Sequence, residues 1–174
     1  MPQSARLSLD MDFHKEGIEM NLKQNLLADH VTHIDLSFYV EVAKGTSVHD
    51  TVEKMRVSRR KCALVMDQGK MVGIFTERDI LKKAAGHLEV CKQPIETQMT
   101  PNPETIPSDL TVIKAIQLMN TKPYRYMPVV NEQGFVVGTL THYALIKYIG
   151  DHFPERIYNL PPEPGRIAQS RAGA

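Results

Sequence analysis

The sequence lacks most of the features that mark a secreted, membrane-spanning or zinc-binding protein. Its only two cysteines, Cys62 and Cys91, lie far apart in the chain, which fits neither a disulfide framework nor a four-ligand zinc site. No apolar run approaches the roughly 20 residues that a transmembrane helix needs. Residues 1–12 include acidic side chains and no apolar signal-peptide core. We therefore expect a cytoplasmic protein without membrane association.

The signatures of common catalytic sites are also missing. There is no G-x-x-x-x-G-K-[S/T] phosphate loop, no G-x-S-x-G nucleophile turn and no H-E-x-x-H zinc motif among the seven histidines. The formal net charge of +1 gives no general attraction to nucleic acid. The sequence therefore predicts a protein that is not an enzyme, that needs no cofactor and that does not have nucleic acid as its partner.

An internal repeat organises most of the chain. The segment of residues 64–76 reappears as residues 129–141, so that Gly73 recurs 65 positions later as Gly138. The match continues upstream at an offset of 64, which one inserted residue explains. Self-similarity at a fixed period indicates two copies of one supersecondary unit.

Each copy has the same predicted elements. An extended start leads into a helix, and two apolar runs joined by a Gly-containing turn then form a β-hairpin. A closing helix starts at Thr76 in one copy and at Thr141 in the other. In the first helix Val48, Val52 and Met55 have the i, i+4, i+7 spacing of one buried face. The second copy repeats this face with Val112, Ile116 and Met119. The unit is β-α-β-β-α.

These boundaries divide the chain into four segments. Repeat 1 spans residues 31–97 and repeat 2 spans residues 98–153. Residues 1–30 are polar with scattered apolar positions, which predicts an N-terminal helical segment that packs on the repeats. Residues 154–174 begin with a proline-rich stretch and predict a disordered C-terminal tail. The fold class is α/β (α+β).

Three segments resemble the CBS-domain family. Residues 73–80, Gly-Ile-Phe-Thr-Glu-Arg-Asp-Ile, resemble its G-h-x-T-x-x-D-h signature, in which h is apolar. Residues 98–103 resemble the Met-Thr-Pro-x-Pro entry into a repeat, and residues 126–130 resemble the strand before the hairpin. The resemblance implies two CBS repeats packed as one Bateman module, which commonly pairs into a homodimer. It also implies adenosyl ligands in clefts between the repeats.

The signature in the first copy carries the candidate ligand site. Thr76 begins a helix, where its hydroxyl and the first backbone N–H groups favour an anion. Asp79 lies one turn further on, where its carboxylate can accept both hydroxyls of a ribose. The same Thr-x-x-Asp spacing also resembles a capping box, which needs no ligand. The family resemblance favours the ligand site over the cap.

The resemblance places an adenine pocket in the opposite repeat. Ile106 and the turn before the next strand would form this pocket, in which Tyr124 stacks on the purine and Arg125 supplies backbone contacts or its stem. Stacking of a ring on a base contributes about 1–3 kcal/mol. The plainer interpretation of Tyr124 is a half-buried aromatic residue in a turn.

The resemblance also assigns the phosphate contacts. Thr76 would meet the phosphates together with Arg60 and Lys61, which occupy the corresponding turn of the first repeat. Taken alone, these two cations are more typical of a solvated basic turn. In the second copy Ala144 stands where the ribose-binding Asp should be, so we expect that site to bind nucleotide poorly or not at all.

The expected function is a non-catalytic sensor. The ligand would be AMP, ADP or ATP, with S-adenosylmethionine as a further possibility, and an effector protein would respond to the bound state. The alternative is a ligand-free scaffold for dimerisation or interaction, which the altered signature of the second copy favours. Absence of any adenosyl-dependent stabilisation in a dimeric protein would distinguish the scaffold from the sensor.

Overall fold

The computed structural model describes residues 27–152. These residues form two small sheets with helices packed against them, so the predicted mixed α/β fold is confirmed. The strands are β1 (Val40–Ala43), β2 (Cys62–Asp67), β3 (Lys70–Thr76), β4 (Thr100–Pro101), β5 (Ile106–Pro107), β6 (Tyr126–Val130) and β7 (Val136–Thr141). The α-helices are α1 (Val48–Val57), α2 (Glu77–Asp79), α3 (Leu88–Cys91), α4 (Val112–Thr121) and α5 (His142–His152).

The sheets follow the repeat. One sheet has the order β1-β2-β3-β4, and the other has the order β5-β6-β7. In each repeat the first strand runs parallel to the second, because a helix crosses between them, and the second and third strands form an antiparallel hairpin. The hairpin turn contains a glycine with positive φ in both copies, Gly69 at +80° and Gly134 at +80°, where side chains are disfavoured.

Each repeat lends an edge segment to the other. Strand β4, which leads into repeat 2, pairs with β3 of repeat 1. In the equivalent contact at the other sheet, the Thr139 amide of repeat 2 donates to the Leu36 carbonyl at 2.9 Å, and Ser37 forms a β-bridge with Thr139. Gly73 and Gly138 lie at these two contacts. A Cβ at Gly73 would collide with the Met99 side chain, and one at Gly138 would lie 2.9 Å from the Leu36 carbonyl oxygen.

The first helix of each repeat packs on its sheet through a slightly different face than predicted. The fully covered residues of α1 are Val48, Thr51 and Met55, while Val52 is only partly buried. The helix α4 shows the same pattern. The small residues Thr51 and Ala115 lie at the centre of each face, because small side chains allow the helix to approach the sheet closely.

The closing helices of the two repeats differ. The helix α5 continues without interruption to His152, whereas α2 ends at Asp79 and passes into a single π-helical turn, Ile80–Ala84. The π-helical turn widens the backbone directly after Asp79, and such turns are frequent at functional sites. The two repeats therefore differ in backbone geometry at equivalent positions.

The predicted terminal segments fall largely outside the described residues. Only residues 27–30 of the expected N-terminal helical segment are described, and the tail of residues 154–174 is not. Within residues 27–152, no helix has the length and apolar character needed to cross a bilayer. In the same region no three His, Cys, Asp or Glu side chains lie close enough to hold a metal ion.

Candidate functional site

A cleft lies between the repeats where the closing signature of repeat 1 meets the entry and the helix–strand turn of repeat 2. We call it the first cleft. Its volume is about 290 Å³, close to the lower end of the range for small-molecule sites, which begins at about 300 Å³. Its walls are Ile74, Thr76–Asp79, Thr100, Asn102–Glu104 and residues 123–126. The structure therefore brings Thr76 and Asp79 together with Tyr124 and Arg125.

The carboxylate of Asp79 is fixed at this cleft. Its Oδ2 atom accepts hydrogen bonds from the Thr76 amide at 3.0 Å and from the Thr76 hydroxyl at 2.8 Å. Its Oδ1 atom lies 2.9 Å from Lys83 Nζ, which also donates to the Gln98 carbonyl at 2.6 Å. The side chain of Asp79 is 15% exposed. The capping interaction is therefore present, and it orients a carboxylate that lines the cleft.

Aromatic and charged side chains cover the opposite wall. Tyr124 is 43% exposed, as a ring available for stacking requires. Tyr126 is half-buried on the same wall, and burial, with a smaller contribution from the Glu77 charge, raises the pKa of Tyr126 to about 12. Glu77 lies 4.0 Å from Arg125 across the cleft. This wall can hold a planar apolar ring, and polar groups lie at its edge.

Ile106 does not reach the cleft. It is 2% exposed, belongs to the core of repeat 2 and pairs with Val129 in the sheet. The wall predicted at Ile106 is formed by Asn102, Pro103 and Glu104, just upstream. Asn102 and Pro103 belong to the Met-Thr-Pro-x-Pro segment and Glu104 follows it directly, so that motif could have indicated this wall. An apolar residue that opens a strand is more often covered by the sheet than left at its end.

Arg60 and Lys61 do not line the first cleft either. They line a neighbouring cavity of about 470 Å³, which we call the second cleft. Its walls are Phe38, Arg59, Arg60, Lys61, Arg125, Tyr126 and Thr141–Tyr143. Arg125 and Tyr126 line both clefts, so the two cavities adjoin.

The signature of repeat 2 has lost its acceptor. Ala144 is 2% exposed, and its amide donates to the Thr141 hydroxyl at 3.0 Å. The second cleft therefore keeps the Thr cap but has no carboxylate at the position that corresponds to Asp79.

Two β-α-β-β-α repeats that exchange edge segments and enclose ligand-sized clefts define a paired-repeat α/β module. The sequence profile described as the CBS domain matches residues 33–86 and 94–151, and the chain belongs to the CBS-domain family. The predicted tandem pair of CBS repeats is confirmed.

The match to curated relatives covers only a part of the length of those proteins. The CBS domain-containing protein CBSCBSPB1 of Arabidopsis thaliana is 31% identical over 102 residues, which are 58% of this chain and 19% of that protein. An L-aspartate semialdehyde sulfurtransferase of Methanosarcina acetivorans is 27% identical over 140 residues, 80% of this chain and 27% of that protein. The chain therefore corresponds to about a fifth to a quarter of these relatives.

A solved relative matches over nearly its whole length. The CBS domain pair of protein MJ0100, crystallised with 5′-methylthioadenosine and S-adenosyl-L-methionine, is 26% identical to this chain. The similarity covers 71% of this chain and 98% of that one, with a TM-score of 0.62. The paired-repeat fold is therefore shared.

Proposed function

We propose that the chain is a non-catalytic sensor module that binds an adenosyl ligand in the first cleft and signals to an effector protein. The observation that carries the proposal is the Asp79 carboxylate, which the Thr76 cap holds at a cavity between two repeats. A carboxylate accepts hydrogen bonds from two vicinal hydroxyls at once, and each bond to a charged acceptor is worth about 1.5–3 kcal/mol.

The opposite wall suits the base of the same ligand. With the ribose at Asp79, the purine would lie against Tyr124, whose ring is exposed on the wall contributed by repeat 2. Binding would then join side chains of both repeats. Because the ligand stabilises one arrangement of the repeats, an effector protein can respond to that arrangement, for which a coupling of about 1–3 kcal/mol is sufficient.

The charge of the first cleft bears on the choice of ligand. Three carboxylates line it, Glu77, Asp79 and Glu104, against the two cations Arg78 and Arg125. A neutral or cationic adenosyl compound suits this balance better than a free triphosphate does. The ligands crystallised with the CBS pair of MJ0100 are of that kind. AMP, ADP and ATP remain candidates if cations of the adjoining second cleft meet their phosphates.

The proposal also covers the compartment, the oligomeric state and the partner of the module. We propose a cytoplasmic homodimer with a separate effector protein, on the resemblance to paired CBS modules. Catalysis is not part of the proposal, because the two CBS repeats account for nearly all of the described residues. The shared region is 27% of the sulfurtransferase relative, so the activity of that protein does not transfer with it.

A thermal-shift panel tests the proposed ligand class. Wild type, Asp79→Ala and Asp50→Ala are each scanned with adenosine, 5′-methylthioadenosine, S-adenosylmethionine, AMP, ADP and ATP. Asp50 is the matched control, since it accepts a hydrogen bond from Ser47 at the start of α1 and lines neither cleft. A ligand at about 100 times its Kd stabilises the fold by about 2.7 kcal/mol. The shift should be lost in Asp79→Ala and kept in Asp50→Ala.

One observation favours a ligand-free scaffold as the second candidate. Both oxygens of Asp79 already have partners within the chain, Thr76 and Lys83, so the carboxylate has a structural role without any ligand. On this hypothesis the whole panel is flat, Asp79→Ala lowers the melting temperature of the free protein, and sedimentation shows a stable dimer. An adenosyl-induced shift that survives in Asp79→Ala would instead contradict the assignment of the ribose site.

A further inference from the structure

The second cleft has a charge pattern opposite to that of the first. Its wall carries the cations Arg59, Arg60, Lys61 and Arg125, while no aspartate or glutamate lines it. His142 adds a titratable ring. A cavity whose lining holds four cations concentrates anions, because the low-dielectric walls focus the field of the charges.

The repeat shows how this difference arose position by position. At the offset of 65 residues, Glu77 of the first cleft corresponds to His142 of the second, and Asp79 corresponds to Ala144. Tyr124, the stacking candidate of the first cleft, corresponds to Arg59. The second cleft has therefore lost the acceptor for a ribose and the tyrosine that corresponds to Tyr124, and it has gained positive charge in place of that tyrosine.

Two of its four cations are already partnered, and two are not. Glu77 lies 3.5 Å from Lys61 and 4.0 Å from Arg125. Neither Arg59 nor Arg60 lies within ion-pair distance of a carboxylate in the part of the chain that the structure describes. The guanidinium of Arg60 lies over the Phe38 ring, 5.0 Å from its centroid, and this contact leaves its N–H donors available.

Asp35 is a carboxylate that interacts with Arg60 at longer range. Hydrogen bonds from Ser37 are the main cause of the lowered pKa of Asp35, and the charge of Arg60 is a smaller one. No ion pair joins Asp35 to Arg60.

The backbone at Arg59 is unusual for a residue of its type. Arg59 follows the C-cap of α1 and has φ of +52°. This is the position at which helices favour glycine, because a side chain in the left-handed region is strained. An arginine at this position keeps a guanidinium on the wall of the second cleft at the expense of backbone strain.

We propose that the second cleft is a phosphate-chain site, in which Arg59 and Arg60 make charge-assisted hydrogen bonds to a polyanion and no nucleoside is required. Planar guanidinium groups match pairs of phosphate oxygens, and such bonds are about twice as strong as neutral ones. The phosphate groups can come from two sources. They belong either to a free phosphate compound or to a nucleotide whose adenosine lies in the first cleft and whose phosphates extend past Arg125 and Tyr126 into the second cleft.

Inorganic tripolyphosphate titrated into the full chain by calorimetry is the direct test. Wild type should bind it, with an affinity that falls steeply as salt is raised. Arg60→Gln and Arg59→Gly should each weaken binding by about tenfold or more, which is the effect of a lost hydrogen bond between charged groups. Arg59→Gly should leave the fold at least as stable as wild type, because glycine adopts the left-handed conformation without strain.

Arg56→Gln is the matched control. Arg56 lies in the last turn of α1, three residues before Arg59, where it pairs with Glu53 and lines neither cleft. Its loss should leave the Kd for tripolyphosphate within about twofold of wild type if the site is built as proposed. Failure of wild type to bind tripolyphosphate would overturn the proposal, and so would an equal loss of affinity in Arg56→Gln and Arg60→Gln, which indicates unspecific attraction.

Two further measurements distinguish the two sources of the phosphate and test the second cleft independently of the first. Asp79→Ala should retain tripolyphosphate binding even where it loses adenosine, so failure of one site leaves the other testable. If ATP displaces both adenosine and tripolyphosphate, the occupant is the tail of a nucleotide that spans both clefts. If ATP displaces adenosine alone, the second cleft binds a separate phosphate compound.

Discussion

The Asp79 carboxylate and the Lys83 ammonium form an ion pair of 2.9 Å at the wall of the first cleft. The same ammonium donates to the carbonyl of Gln98 at 2.6 Å, in the segment that leads into repeat 2. Lys83 therefore connects the candidate ribose acceptor of one repeat to the entry of the other. A ligand at Asp79 must share or displace this contact, which gives the ligand a direct way to change the linkage between the repeats.

Replacing Lys83 by methionine should lower the stability of the fold without unfolding it. The ion pair is partly exposed, with Lys83 at 36%, and its loss together with the bond to Gln98 should cost about 1–2 kcal/mol. Urea denaturation at neutral pH measures the difference. Lys82→Met is the control, because Lys82 is exposed in the same π-helical turn and no ion pair is found for it among residues 27–152. Equal losses in the two variants would contradict a specific role for Lys83.

The two glycines of the repeated motif should tolerate alanine unequally. A Cβ at Gly138 meets the Cβ and the backbone of Leu36, which cannot move independently of the edge segment, whereas a Cβ at Gly73 meets only the Met99 side chain. Gly138→Ala should therefore destabilise the protein by about 1–3 kcal/mol. Gly73→Ala should cost less, about 0.5–1.5 kcal/mol for a strained rotamer of Met99.

A double variant tests this explanation. In urea denaturation, Gly73→Ala should destabilise the Met99→Ala background less than it destabilises wild type, because Met99→Ala removes the colliding atoms. If Gly73→Ala costs as much as Gly138→Ala and the Met99→Ala background does not reduce the cost, the exchange of edge segments does not explain why both positions are glycine.

The fold could be predicted because the patterns that determine it are local in the sequence and occur in both repeats. The repeated Gly-containing hairpin and the helix spacing determine the β-α-β-β-α unit, and Thr76 and Asp79 lie within one helical turn, so their proximity follows from the backbone alone. The proximity of Lys83 to Asp79 could have been predicted in the same way. It lies four residues beyond Asp79, and residues four apart on a helix are neighbours.

The assignment of side chains to clefts could not be predicted in the same way. Each cleft takes one wall from each repeat, so the cleft that a turn faces depends on how the repeats pack and not on periodicity. The family resemblance predicts Arg60 and Lys61 beside Thr76, but in the structure they line the second cleft together with Thr141. The burial of Ile106, which is predicted beside the base, could not be foreseen either, since the alternation of a two-residue strand is too short to show which face is covered.

Tyr124 should contribute to the affinity for adenosine through its ring and not through its hydroxyl. Stacking on a base is worth about 1–3 kcal/mol, so Tyr124→Ala should raise the Kd for adenosine by about tenfold or more, and Tyr124→Phe should leave it nearly unchanged. Calorimetric titration at fixed salt measures both. Tyr143→Ala removes an exposed tyrosine ring from the second cleft instead and should have no effect. An unchanged Kd in Tyr124→Ala would exclude stacking on this residue.

The contact between Asp29 and Tyr148 should make stability depend on acid pH. The Tyr148 hydroxyl donates to the Asp29 carboxylate and is the main cause of its lowered pKa, while burial opposes the shift and His33 and His152 lower it further. An acid whose pKa is lower in the folded state stabilises the fold above its unfolded value, here 3.8, and loses this contribution as pH falls through the folded pKa.

Unfolding free energies of wild type and Tyr148→Phe should therefore differ most above the unfolded pKa of Asp29. The difference at pH 5 to 7 is expected to be about 1–2 kcal/mol, the usual value of a hydrogen bond to a charged acceptor in a partly exposed site. It should shrink as pH falls below 3.8, because protonated Asp29 is a weaker acceptor. Asp29→Asn serves as the control, since in that background Tyr148→Phe should have an effect that does not change with pH. A constant difference between wild type and Tyr148→Phe from pH 7 to pH 2.5 would show that the contribution of the Tyr148 hydroxyl does not depend on the charge of Asp29.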